Sequence, residues 1–284
     1  MKRTTALVAG AAAVAASLSL AIPAGAALAT SSAPAGGAPS LHVIRVAMNG
    51  KKISVTGDLQ SGGARVISTV TREAQGNPTF VRLDRGVSVA QFLKALPAIA
   101  QDQNNVYGLG AFVFSPSASR GTSAVQVYLQ PGRYVAADVG NHGGKPPLTT
   151  FTIRRSPAPA NLPAPAAKVH SIEFGFRGPG TLRDGTMVRF GNHGFLVHMI
   201  VAARGSSKAV AEKIARLLHQ GRDNAAQHLA DNFATFFNVM SHGGYEQQIL
   251  REQTGWWVLA CFMDTQDGRE HTQLGMERVI RIVK

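Results

Sequence analysis

The sequence predicts a mainly β protein built as two tandem β-sandwiches, each with a helical insertion that is longer in the second half. Short stretches of alternating apolar and polar residues recur between turn residues, a pattern typical of sandwiches. A proline- and alanine-rich stretch at residues 156–168 divides the chain. The segments before and after it share one order of strands and helix, which indicates two copies of one fold.

The first 29 residues have the composition of a secretory signal peptide. A basic M-K-R start is followed by an apolar run from Ala6 to Ile22 and by small residues in an A-x-A pattern. The run is short and rich in small residues for a membrane span. We therefore expect cleavage after Ala26 or Ala29, a flexible leader at residues 30–40, and a mature chain without a transmembrane segment. The expected location is secreted or periplasmic, in the cell envelope.

Residues 41–155 form the first predicted sandwich. Within it, the segment from Val87 to Ala100 is predicted to be a helix, because its apolar residues fall on one helical face. The strand-like runs are residues 41–48, 52–59, 64–72, 79–83, 111–114, 124–129, 131–139 and 149–153.

The stretch S-P-A-P-A-N-L-P-A-P-A-A is predicted to be a stiff, extended linker within residues 156–168. The second sandwich is expected at residues 169–284. We predict that its helical section runs from Ser207 to Met240, because apolar residues recur there at helical spacing. The strand-like runs of this half are residues 169–177, 185–190 and 195–202, and the two strands within 255–283.

An internal repeat relates the two halves. The segment that begins at Thr79 aligns with the segment that begins at His198, and both contain an Arg-Gly turn followed by a predicted helix. The G-R-Y-V-A-A-D strand aligns with G-W-W-V-L-A-C, which places Asp138 where Cys261 stands. We infer that only the second copy keeps metal-binding side chains.

The chain is strongly basic, with a formal net charge of +13 that falls to +11 without Lys2 and Arg3. This excess favours acidic partners such as anionic envelope components or an acidic redox protein. A basic surface without any partner is the alternative. Nucleic acid is not an expected partner, because the basic residues are scattered and few aromatic residues lie among them.

The only cysteine, Cys261, excludes an internal disulfide. It ends an apolar run, and His271 and Met276 follow it before the last strand. A thiolate, an imidazole and a thioether are three of the four usual ligands of a blue-copper site, which also needs a second histidine. His193 and His198 compete for that position, and we favour His198 because it lies within a strand. A buried structural thiol, or a site for zinc or Cu(I) alone, are the alternatives.

The second half resembles the cupredoxin (type 1 blue copper) family, in its plastocyanin-like and halocyanin-like branch. The motifs R-F-G-N-H-G-F-L-V-H-M-I and G-W-W-V-L-A-C-F followed by H-T-Q-L-G-M carry the resemblance, and residues 41–155 resemble it only as a degenerate copy. The resemblance implies Greek-key sandwiches in which His198, Cys261 and His271 are equatorial copper ligands and Met276 is the axial ligand. The polar Cys-to-His loop is longer than in plastocyanin-like proteins.

These features predict a secreted copper-binding protein that transfers electrons to or from an unidentified redox partner protein. We also expect that it is not an enzyme, because a site filled by protein ligands leaves no coordination position for a substrate. No two histidines stand two apart, as the trinuclear cluster of multicopper oxidases requires. The alternatives are a metal-free or Cu(I)-storing binding protein of the cell envelope and a copper oxidoreductase.

Overall fold

A computed structural model describes residues 40–140 and 145–284 of the chain. The predicted signal peptide and nearly all of the predicted leader lie outside the described residues. The predicted fold class is confirmed, since the described residues are mainly β and are arranged in several sheets with three α-helices. No helix in these two ranges is both long and apolar enough to cross a membrane.

The first half contains eight strands, one α-helix and one short 3-10 helix. Helix α1 spans Val89–Gln101 and begins with a reciprocal cap between Ser88 and Gln91. The 3-10 helix spans Gln103–Val106. The strands are β1 (His42–Met48), β2 (Ile53–Gly57), β3 (Gly62–Gly76), β4 (Pro78–Leu83), β5 (Gly110–Phe114), β6 (Ala118–Leu129), β7 (Gly132–Asp138) and β8 (Leu148–Ile153).

The second half contains nine strands, two α-helices and a second 3-10 helix. Helix α2 spans Lys208–His219, helix α3 spans Asp223–Gln227, and the 3-10 helix spans His271–Leu274. The strands are β9 (Ala167–Ile172), β10 (Gly175–Arg177), β11 (Thr181–Arg183), β12 (Met187–Asn192), β13 (His198–Gly205), β14 (Ala230–Met240), β15 (Tyr245–Ile249), β16 (Gly255–Ala260) and β17 (Glu277–Val283).

The largest sheet continues from one half into the other. Its strand order is β10-β9-β12-β15-β6-β3-β1-β2, and the two halves meet where β15 pairs antiparallel with β6. At this junction the side-chain amide of Gln247 donates to Gln126 Oε1 at 2.9 Å and to the carbonyl oxygen of Pro163 at 3.0 Å. The proline-rich stretch is therefore held against the protein. Its carbonyl at Ala160 also accepts the backbone N–H of Gly63.

The two smaller sheets show the internal repeat. Their strand orders are β5-β4-β7-β8 and β14-β13-β16-β17, with a further strand, β11, beside β17. Both β7 and β16 begin with a glycine at positive φ, 153° and 139°. Two buried aromatic residues at matching positions also donate to the carbonyl four residues earlier: Tyr134 to Gln130 at 2.7 Å and Trp257 to Gln253 at 2.9 Å. The repeat therefore extends to individual hydrogen bonds.

One predicted helical segment is wrong. The helical section was expected to end at Met240, but the helical part of the chain ends with α3, and residues 230–240 form strand β14. Phe236, Phe237 and Met240 are buried there, whereas Phe233 remains 46% exposed. Aromatic and β-branched residues fit a pleated surface, and pairing with β13 satisfies the backbone, so tertiary contacts decide the conformation.

A fully buried carboxyl group lies where the two halves meet. Glu246 on β15 accepts the backbone N–H of Ser115 at 3.1 Å through Oε2, while its Oε1 has no hydrogen-bond partner among the described residues. Burial raises the pKa of Glu246 to about 8, although the bond from Ser115 opposes this shift. The side chain is therefore mostly protonated at neutral pH.

The free energy of unfolding is expected to fall as pH rises from about 4.5 to about 8 because of this residue. In that window Glu246 is protonated in the folded protein and ionised in the unfolded chain, so unfolding releases a proton. The variant Glu246→Gln keeps an acceptor for Ser115 but cannot ionise. Denaturant titrations near pH 5 and pH 8 measure the free energy of unfolding of both proteins. Between these two pH values, the free energy of unfolding of the variant should rise relative to that of the native protein by on the order of a few kcal/mol. Parallel pH profiles for the two proteins would contradict this assignment.

Candidate metal centre

Three buried side chains meet at one end of the sheet that contains β13 and β16. His198 is the first residue of β13, Cys261 directly follows β16, and His271 begins the second 3-10 helix. The Nδ1 atoms of the two histidines are 3.2 Å apart, and Cys261 Sγ lies 3.7 Å from that of His198 and 3.4 Å from that of His271. All three residues are fully buried, and they form the one group of this kind found among the described residues.

The backbone around Cys261 holds its sulfur in place. The neighbouring strands β13 and β16 pair antiparallel up to Val201 and Ala260. Beyond this pair, the N–H of Met199 donates to Cys261 Sγ at 3.4 Å, and the N–H of Cys261 donates to the carbonyl of Met276 at 3.3 Å. The N–H bond to sulfur stabilises negative charge on the sulfur, as a metal-bound thiolate requires.

The long polar loop after Cys261 returns the chain to the site. Asp264 and Glu270 form an isolated antiparallel bridge, and between them the N–H of Thr265 donates to the carbonyl of Arg269 at 2.8 Å. The N–H of His271 then donates to the carbonyl of Met263, also at 2.8 Å. The extra residues therefore close into a small turn outside the site, and His271 is buried despite the loop length.

Met276 is buried next to the same site. Gly275 ends the 3-10 helix in the left-handed conformation at φ 99°, as the turn before Met276 requires. The N–H of Met276 donates to the carbonyl of His271 at 2.9 Å. The Met276 side chain is part of the apolar cluster that also contains Cys261.

All three converging groups are neutral at pH 7 in the absence of a metal. Burial lowers the pKa of His198 to about 3, with a smaller contribution from His271. Burial also lowers the pKa of His271 to about 4, opposed by the carboxylates of Glu173 and Asp102. Burial raises the pKa of the Cys261 thiol to about 12. Both imidazoles therefore offer lone pairs, and metal binding has only the thiol proton to displace.

This donor set fits copper. The two rings approach each other through their Nδ1 atoms, and their Nε2 atoms have no hydrogen-bond partner among the described residues. A metal ion shared by the two Nδ1 atoms would offset part of the cost of burying the polar rings, but it would not supply partners for the Nε2 atoms. Two imidazole nitrogens and a thiolate with a nearby thioether are the ligands of mononuclear blue-copper sites.

Further residues restrain the two histidines. Glu173 Oε1 lies 3.9 Å from His198 Nε2 and accepts the backbone N–H groups of Phe195 and Leu196. Phe174 packs edge-on against the His271 ring, with centroids 5.3 Å apart, from a left-handed backbone conformation at φ 52°. The sequence analysis missed both residues, because their contact with the site arises from the turn between β9 and β10 and carries no motif.

His193, the competing candidate for the first ligand, lies outside the group. It follows β12, is exposed, and stacks its ring on that of His170 at a centroid distance of 3.7 Å. The structure thus brings His198, rather than His193, to Cys261 and His271.

The corresponding positions of the first half carry oxygen atoms that are engaged by the protein. Thr79 Oγ1 lies 2.8 Å from Ser115 Oγ, and Asp138 Oδ1 accepts the backbone N–H of Asn77 at 2.9 Å. Both Thr79 and Asp138 are buried. Neither offers the soft sulfur or imidazole donors of the second half.

No protein-family model and no curated protein match the chain. Among solved structures, auracyanin A, a "blue" copper protein from Chloroflexus aurantiacus, is 17% identical with a TM-score of 0.24, and the match covers 41% of this chain and 96% of that one. A multicopper oxidase is 10% identical with a TM-score of 0.24, covering 85% and 88%. The copper-containing nitrite reductase of Thermus scotoductus is 10% identical with a TM-score of 0.25, covering 87% and 69%.

The matches correct one expectation. We predicted that the protein is not an enzyme, yet the structures that match along most of the chain include a multicopper oxidase and a nitrite reductase, which are enzymes. The prediction was wrong in its physical reasoning. A copper site closed by protein ligands excludes substrate from that one metal, but it can still pass electrons to a reacting centre elsewhere.

The close approach of Gly194 to the site gives a test of the ligand geometry. A Cβ at this position would lie 2.6 Å from Glu173 Oε1 and 2.7 Å from His198 Nε2. Gly194→Ala should displace the His198 ring and weaken copper affinity by about 10- to 100-fold. The matched control is Gly180→Ala, whose added methyl group meets nothing within 4 Å. Equal copper affinity of both variants in competition titrations would rule out His198 as a tightly held ligand.

Proposed function

We propose that this protein binds one copper ion through His198, Cys261 and His271, with Met276 as a weak axial ligand, and uses it for one-electron transfer. The observation that carries the proposal is the convergence of two neutral imidazoles and one thiol within 3.7 Å in a fully buried site. Imidazole binds both Cu(I) and Cu(II), whereas thiolate and thioether favour Cu(I).

When bound, copper supplies a couple that gains or loses one electron without a bond to substrate. The chain holds the donors in place. His198 and Cys261 lie at the ends of paired strands, and His271 is held by backbone hydrogen bonds to Met263 and Met276. Because packed interiors resist rearrangement, the donors keep nearly the same positions in both oxidation states. A small change in geometry is what makes electron transfer easy.

We place the protein outside the cytoplasm, in the secreted or cell-envelope space, and assign it a redox partner protein with an acidic surface. The predicted signal peptide supports the location, and the net charge of +11 that remains without Lys2 and Arg3 supports the choice of partner. Electrostatic attraction of this kind accelerates encounter and weakens with added salt.

The first test is the visible absorption of the mature protein during titration with Cu(II). We expect an intense thiolate-to-copper band that saturates at one equivalent and disappears on reduction, and that is absent from Cys261→Ser. The serine hydroxyl has nearly the same size but does not supply the sulfur donor. Absence of the band in both proteins would overturn the proposal. A colourless protein that binds Cu(I) tightly would instead indicate copper storage.

The role of Met276 is tested by a matched pair of variants. Met276 and Met263 are both buried in the apolar cluster around Cys261. Leucine has a similar volume and no sulfur, so each substitution should cost less than about 1.5 kcal/mol of stability. If Met276 is the axial ligand, Met276→Leu shifts the copper absorption bands and the reduction potential, whereas Met263→Leu leaves both unchanged. Identical spectra and potentials for the two variants would remove Met276 from the ligand set.

A further inference from the structure

The segment of residues 194–197 leads directly into the candidate ligand His198 and is held by both halves of the chain. Within the second half, the carboxylate of Glu173 accepts the backbone N–H groups of Phe195 and Leu196. Two further hydrogen bonds to this segment come from the first half, from residues that stand 93 and 88 positions earlier in the sequence. The first half therefore touches the backbone next to a metal-binding residue of the second.

The 3-10 helix of the first half supplies an acceptor beside the ligand. Asn104 Oδ1 accepts the N–H of Val197 at 2.8 Å. Asp102 fixes the orientation of this amide, because its Oδ1 accepts the backbone N–H of Asn104 at 2.8 Å and the side-chain Nδ2 of Asn104 at 2.9 Å. The oxygen of Asn104 therefore faces Val197. An N–H group that loses its acceptor in a partly buried place costs free energy, so this bond restrains the segment.

A second residue at the end of the same 3-10 helix binds the segment from its other side. The hydroxyl of Tyr107 donates to the carbonyl of Phe195 at 2.6 Å. One first-half side chain thus accepts from the backbone at residue 197, and another donates to the backbone at residue 195. The path of the chain is restrained at both positions before it reaches His198.

The side chain of Val197 is inserted into the apolar core of the first half. It is fully buried in a cluster whose other buried members all belong to the first half, namely Val81, Leu83, Phe92, Ile99, Val106, Phe112 and Val135. Packed interiors resist displacement of their members. The residue directly before His198 is therefore fixed relative to the first half.

Strand pairing brings His198 to the site, but the ladder is incomplete at this residue. The pairing of β13 with β16 begins only at Val201, and its pairing with β14 shifts register directly after His198. His198 is paired with Met240, and the next residue, Ser241, is also held by the first half. The N–H of Ser241 donates to the carbonyl of Phe112 at 3.0 Å, and its Oγ accepts the N–H of Phe112 at 3.0 Å. Contacts with the first half thus lie on both sides of His198.

We propose that Asn104 and Tyr107 are positioning residues for the copper ligand His198. Through them the first half sets the copper affinity and the reduction potential of a centre to which it contributes no ligand. This inference rests on the proposed function, because it concerns the control of that same site. Residues that orient a metal ligand without touching the metal change its affinity by about 10- to 100-fold when they are replaced. The hydrogen bonds around a copper centre also tune its reduction potential.

The test compares Asn104→Ala with Asn105→Ala in the mature protein. Asn105 lies in the same 3-10 helix, and its Nδ2 donates to the carbonyl of Ala98 within the first half at 2.9 Å. Both variants lose a side-chain hydrogen bond, but only Asn104→Ala removes the acceptor of Val197. We expect Asn104→Ala to weaken Cu(II) affinity about tenfold and to shift the thiolate-to-copper band and the reduction potential. Asn105→Ala should keep the native values.

Tyr107→Phe is a milder second variant, because it removes only the hydroxyl group. Its matched control is Tyr134→Phe, since the Tyr134 hydroxyl donates to the carbonyl of Gln130 within the first half at 2.7 Å. We expect the copper band and the reduction potential to shift in Tyr107→Phe and to stay unchanged in Tyr134→Phe. A band position and a potential report on the ligands of the metal, and a loss of stability elsewhere in the first half would leave them unchanged.

A further measurement uses the copper-free protein. Hydrogen exchange of the Val197 amide should be about tenfold faster in Asn104→Ala than in the native protein, because the amide has lost its acceptor. Asn105→Ala should leave this rate at the native value. The measurement reports on the segment before His198 whether or not copper is bound.

Three results would overturn the proposal. The first is native affinity, band position and potential in both Asn104→Ala and Tyr107→Phe. The second is an equal shift in Asn104→Ala and Asn105→Ala, which would indicate a general loosening of the first half. If the native protein gives no thiolate-to-copper band, the proposed function fails. An unchanged exchange rate of Val197 in Asn104→Ala would then be the third result against the positioning role, and a faster rate would support that role, so the two failures are distinguishable.

Discussion

The pairing of β13 with β16 is the interaction on which the candidate metal centre depends. These strands are neighbours in one sheet, and their pairing ends at Val201 and Ala260. His198 and Cys261 lie beyond this last pair, at the site. The imidazole comes from the start of one strand and the thiol from the end of the other, so antiparallel pairing alone brings them together. The last strand, β17, pairs with β16 and brings Met276 to the same end.

The second half differs from the first mainly in what its strands present at this end. Hydrogen-bonded oxygens occupy the first-half positions of His198 and Cys261. The first half instead contributes structure: β6 continues the large sheet through β15, and Asn104 accepts the N–H of Val197, one residue before His198, at 2.8 Å. Polar groups of one half thus support a site that lies entirely in the other.

The sequence predicted most strands and the convergence of a thiol with histidines, because both depend on short patterns. Alternation of apolar residues identified β1, β4 and β13, and the order of Cys261, His271 and Met276 pointed to one end of a sheet. The sequence could not assign residues 230–240, because the spacing of their aromatic residues fits a helix and a strand equally well. Pairing with β13 decides the conformation in favour of a strand. The sequence also could not find Glu173 or the pairing of His170 with His193, since these contacts join separate strands.

The small turn between Asp264 and Glu270 determines which part of the loop between Cys261 and His271 can vary. The bridge closes the loop at its base, and the hydrogen bond from His271 to Met263 fixes the ligand independently of the residues in between. Residues 266–269 are exposed, and the length and chemistry of this turn are therefore independent of the positions of the candidate metal-binding residues. Sequences that bind a partner could be exchanged there, during evolution or by design, without a change in the geometry of the candidate metal centre.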